Sequence, residues 1–276
     1  MTNRELPIIQ DVFTVKSKEF ITPHYVRITL TGNVELFKNA TLGDNNKIFI
    51  PPKNVDTVHM RSYDFEKEEW VLPPEHLRPI MRTYTHRAID LTKKELVIDF
   101  VNHGLNGPAS CWANAAQKGS QLGIAMKSKP KELYPEKDWY LLVGDATAIP
   151  VISIILESLP SSANGICIIE VHGYEDEQIL HSKAAIQFKW LHNPFPEKGS
   201  KLIEEVRKVS MPQTSKFGYV ACEFDSVKQI RQYLRKEKNW RLDELYAYSY
   251  WKNGLAEDES ASSRRKHKRS DRHSGG

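Results

Sequence analysis

The sequence predicts an antiparallel Greek-key β-barrel followed by an α/β domain with a parallel sheet. Three observations predict it. The chain has 276 residues, enough for two domains that each bury a core. Up to Ala125, short apolar-alternating runs are separated by turn residues, with only one helical stretch among them. After a polar connection from Lys127 to Asp138, punctuated by Pro130 and Pro135, strand-like and helix-like stretches alternate, the signature of a parallel sheet.

Residues 8–30 read as two strands about a turn at Thr22-Pro23, with Val12, Phe13, Val15, Val26, Ile28 and Leu30 as inward candidates. Asn33 to Lys38 reads as one helical turn capped by Asn33. Lys47 to Ile50 is a strand stopped by Pro51-Pro52, and Lys53 to Pro79 is a polar excursion with room for one hairpin. Strands follow at 82–88 and 95–102, then a helix from Pro108 to Lys118 ended by Gly119, then a strand from Gln121 to Ala125. Beyond the connection come a buried strand, Trp139 to Val143, and a helix, Thr147 to Leu159, with Pro150 in its first turn. Strand Gly165–Val171, helix Lys198–Val209, strand Phe217–Cys222, helix Val227–Glu237 and strand Leu245–Trp251 complete the pattern. The expected division is residues 1–130, 131–257 and a tail, 258–276.

Composition sets limits on function. Apolar residues make up 40% and charged residues 27%, as in a soluble globular protein. The first twenty residues carry six charges and no apolar core run, so no signal peptide is expected. The longest strongly apolar run, Val151 to Leu156, is far too short to span a membrane. Cys111, Cys167 and Cys222 form neither a disulfide framework nor a metal cluster, and the ten histidines lack zinc spacing, which fits a reducing cytoplasm. The net charge of +4 resides in the tail: residues 264–273 hold six Lys/Arg and one Asp. The rest of the chain, with 33 basic and 34 acidic residues, gives no reason to expect nucleic-acid binding.

The chemistry concentrates in two stretches. In Met81-Arg82-Thr83-Tyr84-Thr85-His86-Arg87, alternation puts Arg82, Tyr84 and His86 on one side and Thr83 and Thr85 on the other. That combination offers a cation for a phosphate and a planar ring for an aromatic cofactor, although an ordinary exposed strand has the same pattern. Asp99 to Ala113 is a strand running into a Gly-punctuated turn and a helix start, which aims free N–H groups at an anion.

Together, Arg82-Thr83-Tyr84-Thr85, the turn from His103-Gly104 to Gly107-Pro108-Ala109, and Trp112-Ala113 resemble the siderophore-interacting proteins. Gly144-Asp145-Ala146-Thr147-Ala148-Ile149-Pro150 agrees with them. So does Ala221-Cys222-Glu223, followed at a distance by Tyr250-Trp251-Lys252-Asn253-Gly254. The motifs keep the family's order, over roughly residues 8–257. The resemblance implies an FAD-dependent ferric-siderophore reductase on the ferredoxin–NADP reductase plan, with the barrel as its flavin domain.

The resemblance also assigns roles. Arg82 would bind the FAD pyrophosphate, Tyr84 would lie on the isoalloxazine ring and Thr85 would bond near its N5, with Thr83 in the same motif. Asp99, Val101 and His103 would line another part of the flavin, and the amides of Gly107, Ala109 and Ser110 would cradle phosphate. Gly144, Asp145, Thr147 and Ala148, with Glu223, would form the NAD(P) site; read alone, the first four are a well-capped helix start. Where the family usually has Gly, this chain has Cys222, which reads as a buried structural thiol. Lys127, Lys129, Lys131 and Lys252 are candidates for a cationic substrate bowl.

No side-chain nucleophile, acid–base pair or protein-bound metal is implied, because hydride passes from nicotinamide to flavin and single electrons pass on to siderophore-bound Fe³⁺. The acidic run Glu175-Asp176-Glu177 after His172-Gly173 suits a ribose 2′-OH, favouring NADH over NADPH. A ferredoxin donor, a non-catalytic siderophore-binding protein and a nucleic-acid binder acting through the tail are the rival readings. The tail itself is either a solvated end or an electrostatic attractor of anionic partners.

Overall fold

The computed structural model describes residues 8–104, 107–127, 129–213 and 215–254; the basic tail lies outside them. It divides into two compact units. The first runs to Leu133 and includes Pro150–Glu157 and Gln178–His181; the second is the remainder.

In the first unit β1 (Ile8–Thr22), β2 (Tyr25–Thr31), β3 (Asn45–Ile50), β6 (Ile80–Asp90), β7 (Glu95–Val101) and β8 (Gln121–Lys127) close into an antiparallel barrel of order β1-β2-β7-β6-β3-β8. Alternation drives Phe13, Val15, Val26, Ile28, Leu30, Ile48, Ile50, Leu96, Ile98, Phe100, Leu122 and Ile124 into one core. Val12 cannot share it, since neighbours on a strand face opposite ways. It packs instead with Phe49, Val58, Met60 and Ala125 in a separate small cluster. The excursion after β3 contains a hairpin of β4 (Ser62–Asp64) and β5 (Glu69–Val71), where Tyr63 and Trp70 lie 5.2 Å apart and Arg61 stands over the Trp70 ring. Helix α1 (Pro108–Ala115) sets small residues, Ala109 and Ala113, with Ala116 just beyond it, against the barrel core. It ends three residues short of the sequence expectation. The turn expected at Asn33–Lys38 is a 3₁₀ segment, Val34–Phe37, and Asn33 makes no side-chain cap.

The second unit is a parallel sheet of order β11-β10-β9-β12-β13, from β9 (Trp139–Asp145), β10 (Asn164–Val171), β11 (Ala185–His192), β12 (Lys216–Glu223) and β13 (Leu245–Trp251). Strand β11 is absent from the sequence reading. Helix α2 (Ile149–Ser158) follows a 3₁₀ turn at Ala146–Ala148. Helix α3 (Leu202–Arg207) is shorter than expected, and α4 (Phe224–Gln232) continues as a π-helical turn over Tyr233–Glu237. Leu202, Val206, Val227, Ile230 and Leu234 of these helices bury against Leu141, Val143, Ile168, Val220 and Cys222 of the sheet.

Gly165 sits opposite Tyr140 in the β9–β10 ladder, and a Cβ there would stand 2.1 Å from the Tyr140 carbonyl oxygen. Backbone cannot yield as a flexible side chain can. Gly165→Ala is therefore expected to destabilise the α/β unit by about 1–3 kcal/mol, read from its urea unfolding midpoint. Among the described residues, no helix is long and apolar enough to cross a membrane.

Candidate flavin and nucleotide sites

The β3–β6 register places Arg82 opposite Ile48 and Tyr84 opposite Asn46, with Thr83 and Thr85 on the other face opposite Lys47 and Asn45. Tyr84 is half-buried, its ring 4.7 Å from Phe100, which lies 5.7 Å from Trp112 of α1. Tyr84 and Trp112, both partly exposed, thus form an aromatic shelf joined through the fully buried Phe100. The Arg82 guanidinium donates to the Met81 carbonyl at 2.7 Å. Thr83 accepts a hydrogen bond from Lys47, and Thr85 is buried.

Helix α1 begins at Gly107, whose φ of +87° suits glycine, with Pro108 at its first position and no side-chain cap or acidic residue in its first turn. A Cβ on Gly107 would stand 3.2 Å from the His103 ring. Ser110 braces the turn from inside, its hydroxyl donating to the Gly104 carbonyl at 2.7 Å and accepting from the His103 N–H at 3.1 Å. Asn114, one helical turn on, donates to the Asn102 side chain at 2.6 Å. Neither Asn102 nor Asn114 was singled out from the sequence. The i, i+4 spacing of Ser110 and Asn114 was the available signal, since it puts both on one helix face.

A guanidinium, an aromatic shelf and a helix start without a carboxylate cap are the donor set an FAD diphosphate and ring system require. The residues present fit the group. Two residues that the resemblance assigns to the flavin are tied into the barrel wall. Asp99 is buried and receives Arg27 through two hydrogen bonds of 2.8 Å, with the Tyr25 hydroxyl at 3.3 Å; burial, then the Asp99 charge, raises the Tyr25 pKa. Val101 is a half-buried wall residue opposite Tyr25.

Next to Tyr84 the barrel holds two buried polar side chains, Asn46 and His86, each 1% exposed. Backbone groups of Thr41 and Asp44 lie near the His86 ring, yet neither ring nitrogen nor either Asn46 amide atom has a hydrogen-bond partner of good geometry. Burial drives the His86 pKa down to about 4, against a smaller opposing pull from Asp44. Asp44 is itself buried, with Lys127 and Lys131 each 3.6 Å from its carboxylate. Two of the four lysines expected to serve a substrate thus share one internal carboxylate. Lys129 is exposed, and Lys252 stands 4.7 Å from the centre of the Phe224 ring.

In the α/β unit, Gly144 and Asp145 end β9, and the Asp145 carboxylate accepts from the Thr147 N–H at 2.9 Å and from its hydroxyl. Its other oxygen accepts the Trp251 indole N–H at 2.7 Å. Burial raises Asp145 to about 6, the Thr147 and Trp251 bonds opposing it. Ala148 is buried in the turn that follows. Glu223 ends β12 and caps α4 through the Asp225 and Ser226 amides. Cys222 is buried, and burial pushes its thiol well up, as expected of a structural thiol. Among the described residues no cluster of His, Cys, Asp and Glu could hold a metal ion.

Comparison with known proteins agrees with this arrangement. Residues 14–130 match the siderophore-interacting FAD-binding domain and residues 137–254 the siderophore-interacting protein domain. Ferric vibriobactin reductase of Vibrio cholerae is 34% identical over 244 residues, covering 87% of this chain and 89% of that one. The crystal structure of the siderophore-interacting protein SipS from Aeromonas hydrophila superposes with a TM-score of 0.79 at 31% identity, over 93% of this chain and 97% of that one. A ferredoxin NADP⁺ reductase from Neisseria gonorrhoeae shares the fold, with a TM-score of 0.54 at 12% identity over 89% of this chain and all of that one. The chain therefore belongs to the siderophore-interacting protein family, with that family's FAD-binding barrel and its α/β domain.

Proposed function

We propose that the protein is an FAD-dependent oxidoreductase that reduces the iron of ferric siderophores with electrons from a nicotinamide nucleotide. One observation carries the reading: the aromatic shelf of Tyr84 and Trp112, backed by the buried Phe100, ends at a braced helix start that no carboxylate caps. When bound, FAD accepts a hydride and returns its electrons one at a time, which converts a two-electron donor into a one-electron reductant of Fe³⁺. The chain's own part is placement. Arg82 and the amides of Ala109 and Ser110 hold phosphate, Tyr84 supports the ring, and Thr85 offers a hydroxyl at its edge. Gly144, Asp145, Thr147 and Ala148 form the turn that receives the nucleotide, with Glu223 at the next strand end. Lys127, Lys129 and Lys252 supply positive charge for an oxygen-rich, anionic ferric complex. Fe²⁺ then leaves because hard oxygen donors hold it far less firmly than Fe³⁺.

The preference for NADH rests on the segment after β10. Residues 172–177 carry three carboxylates and no Lys or Arg; Glu177 pairs with His192 at 2.8 Å, and Asp176 is buried against the Gly173 N–H. A 2′-phosphate arriving there meets like charge. Anaerobic stopped-flow mixing tests both claims. NADH is expected to bleach the yellow protein faster than NADPH, and a ferric siderophore added next is expected to restore the colour while a ferrous chelator reports Fe²⁺. A clear NADPH preference reverses the nucleotide choice. Bleaching only by reduced ferredoxin replaces the donor, and a protein that binds the siderophore without reducing it removes the enzymatic reading.

A further inference from the structure

The order β11-β10-β9-β12-β13 gives the α/β sheet a switch point between β9 and β12, where the chain runs outward to opposite edges. Open α/β sheets bind ligands in the crevice beyond the strand ends at such a point. Asp145 stands at the end of β9, and Trp251 ends β13, with β12 between them. The 2.7 Å bond from the Trp251 indole N–H to Asp145 therefore crosses the end of β12 and the crevice itself.

A change of register makes this reach available. Cys222 pairs with Ser249, but Glu223 pairs with Trp251, so Tyr250 is an extra residue on β13. Such a bulge re-aims the side chain that follows it. The backbone beyond Trp251 is anchored without the indole: Asn253 donates to the Glu197 carbonyl at 2.9 Å and to Glu223 at 3.4 Å, and Lys252 lies over the Phe224 ring. Asp145 receives three donors, two from Thr147 and one from Trp251. The charged and titratable groups around it are Glu170 from β10, itself held by Asn193, Ser200 and the Lys201 amide, and Cys222 and Glu223 from β12. Without the indole donor, one Asp145 oxygen faces that acidic surround without its hydrogen bond, and it takes up a proton more readily.

We propose that Trp251 is a positioning residue of the nicotinamide-nucleotide site: its indole N–H fixes the Asp145 carboxylate across the β9–β12 crevice, in the orientation that orders the Thr147 turn. The proposal rests on a nicotinamide nucleotide being the electron donor. Trp251 touches neither reacting centre in this scheme and acts through Asp145.

The test uses the FAD-loaded full chain and Trp251→Phe, which keeps the aromatic bulk and removes the donor. FAD content is expected to be unchanged. KM for NADH is expected to rise about tenfold with little change in kcat. The acid limb of NADH-dependent flavin reduction is expected to have its midpoint near pH 6 in the wild type and about one unit higher in Trp251→Phe. A purely structural role lowers activity without moving that midpoint, so an unmoved midpoint with an unchanged KM overturns the proposal. A second measurement needs no nucleotide: the Trp251 indole N–H resonance, recognised by its loss in Trp251→Phe, is expected to titrate with a midpoint near 6 in the oxidised protein. An indole signal that does not respond to pH overturns the proposal as well. A wild-type flavin that neither nucleotide reduces removes the donor assignment and this proposal with it. A titrating indole signal then distinguishes that failure from loss of the Trp251–Asp145 bond.

Discussion

Arg82→Ala is expected to purify as a folded protein with almost no FAD. Arg82 lies outside the apolar core that closes the barrel, so its loss leaves the residues that hold the fold in place. A guanidinium meets a diphosphate through paired, charge-assisted hydrogen bonds, the kind whose removal costs most. Losing roughly 1.5–3 kcal/mol lowers FAD affinity by one to two orders of magnitude. That is enough to strip the cofactor during gel filtration. The ratio of flavin to protein absorbance reads occupancy, and far-ultraviolet circular dichroism checks the fold. Arg82→Lys keeps the charge but not the fork, and is expected to fall between wild type and alanine. Full occupancy in Arg82→Ala, with the fold intact, removes the pyrophosphate assignment.

The second large effect is a loss of barrel stability in acid, traced to His86. In the folded barrel the imidazole stays neutral down to about pH 4, while in the unfolded chain it protonates at the ordinary histidine value of 6.5. Above pH 6.5 neither state carries the proton, and the barrel keeps its full stability. As the pH falls from 6.5 to 4, only the unfolded chain takes up the proton, so folding stability is lost. The gap corresponds to about 3 kcal/mol by pH 4. Asp145 works in the opposite sense. Its folded pKa of about 6 lies above the ordinary aspartate value of 3.8, so its contribution is present at low pH and lost as pH rises through that window. A bulk melting curve therefore blends two opposed slopes from two units. Hydrogen exchange of barrel amides at pH 7 and pH 4.5, compared between wild type and His86→Leu, isolates the barrel. The leucine variant is expected to match or exceed wild type at pH 7, because it removes two unpartnered buried nitrogens, and to lose less stability on acidification. Equal acid losses in both proteins would refute the assignment to His86.

Much of the fold is legible because two periodicities differ. Val26, Ile28 and Leu30 alternate with Arg27 and Thr29 and reach the barrel core as expected. Strand β11 went unread although Ile186, Phe188 and Trp190 alternate with Gln187 and Lys189. It is an edge strand, with much of its surface exposed and no intervening α-helix between it and β10, so it lacks the βαβ rhythm that marks its neighbours. The site divides in the same way. Arg82, Tyr84 and the Gly107 turn are local motifs and can be read along the chain. Asp44 with its lysines, Asn102 with Asn114, Arg27 with Asp99, and Trp251 with Asp145 depend on pairings set by the folded topology. No spacing rule announces Arg27 and Asp99, which are 72 residues apart.

The pairing of Asp44 with Lys127 and Lys131 bears on turnover. In the proposed reductase, an anion that engages both lysines would enter a group whose formal charge is +1, and would compete with Asp44 for them. Binding is then an exchange of one partner for another, not the filling of an empty place. The carboxylate remains tethered beside the lysines at high effective concentration, ready to reclaim them when the anion loosens. If these lysines receive the ferric complex as proposed, the arrangement would give up some grip on it and speed departure of the iron-free chelator, keeping a product that resembles its substrate from holding the site.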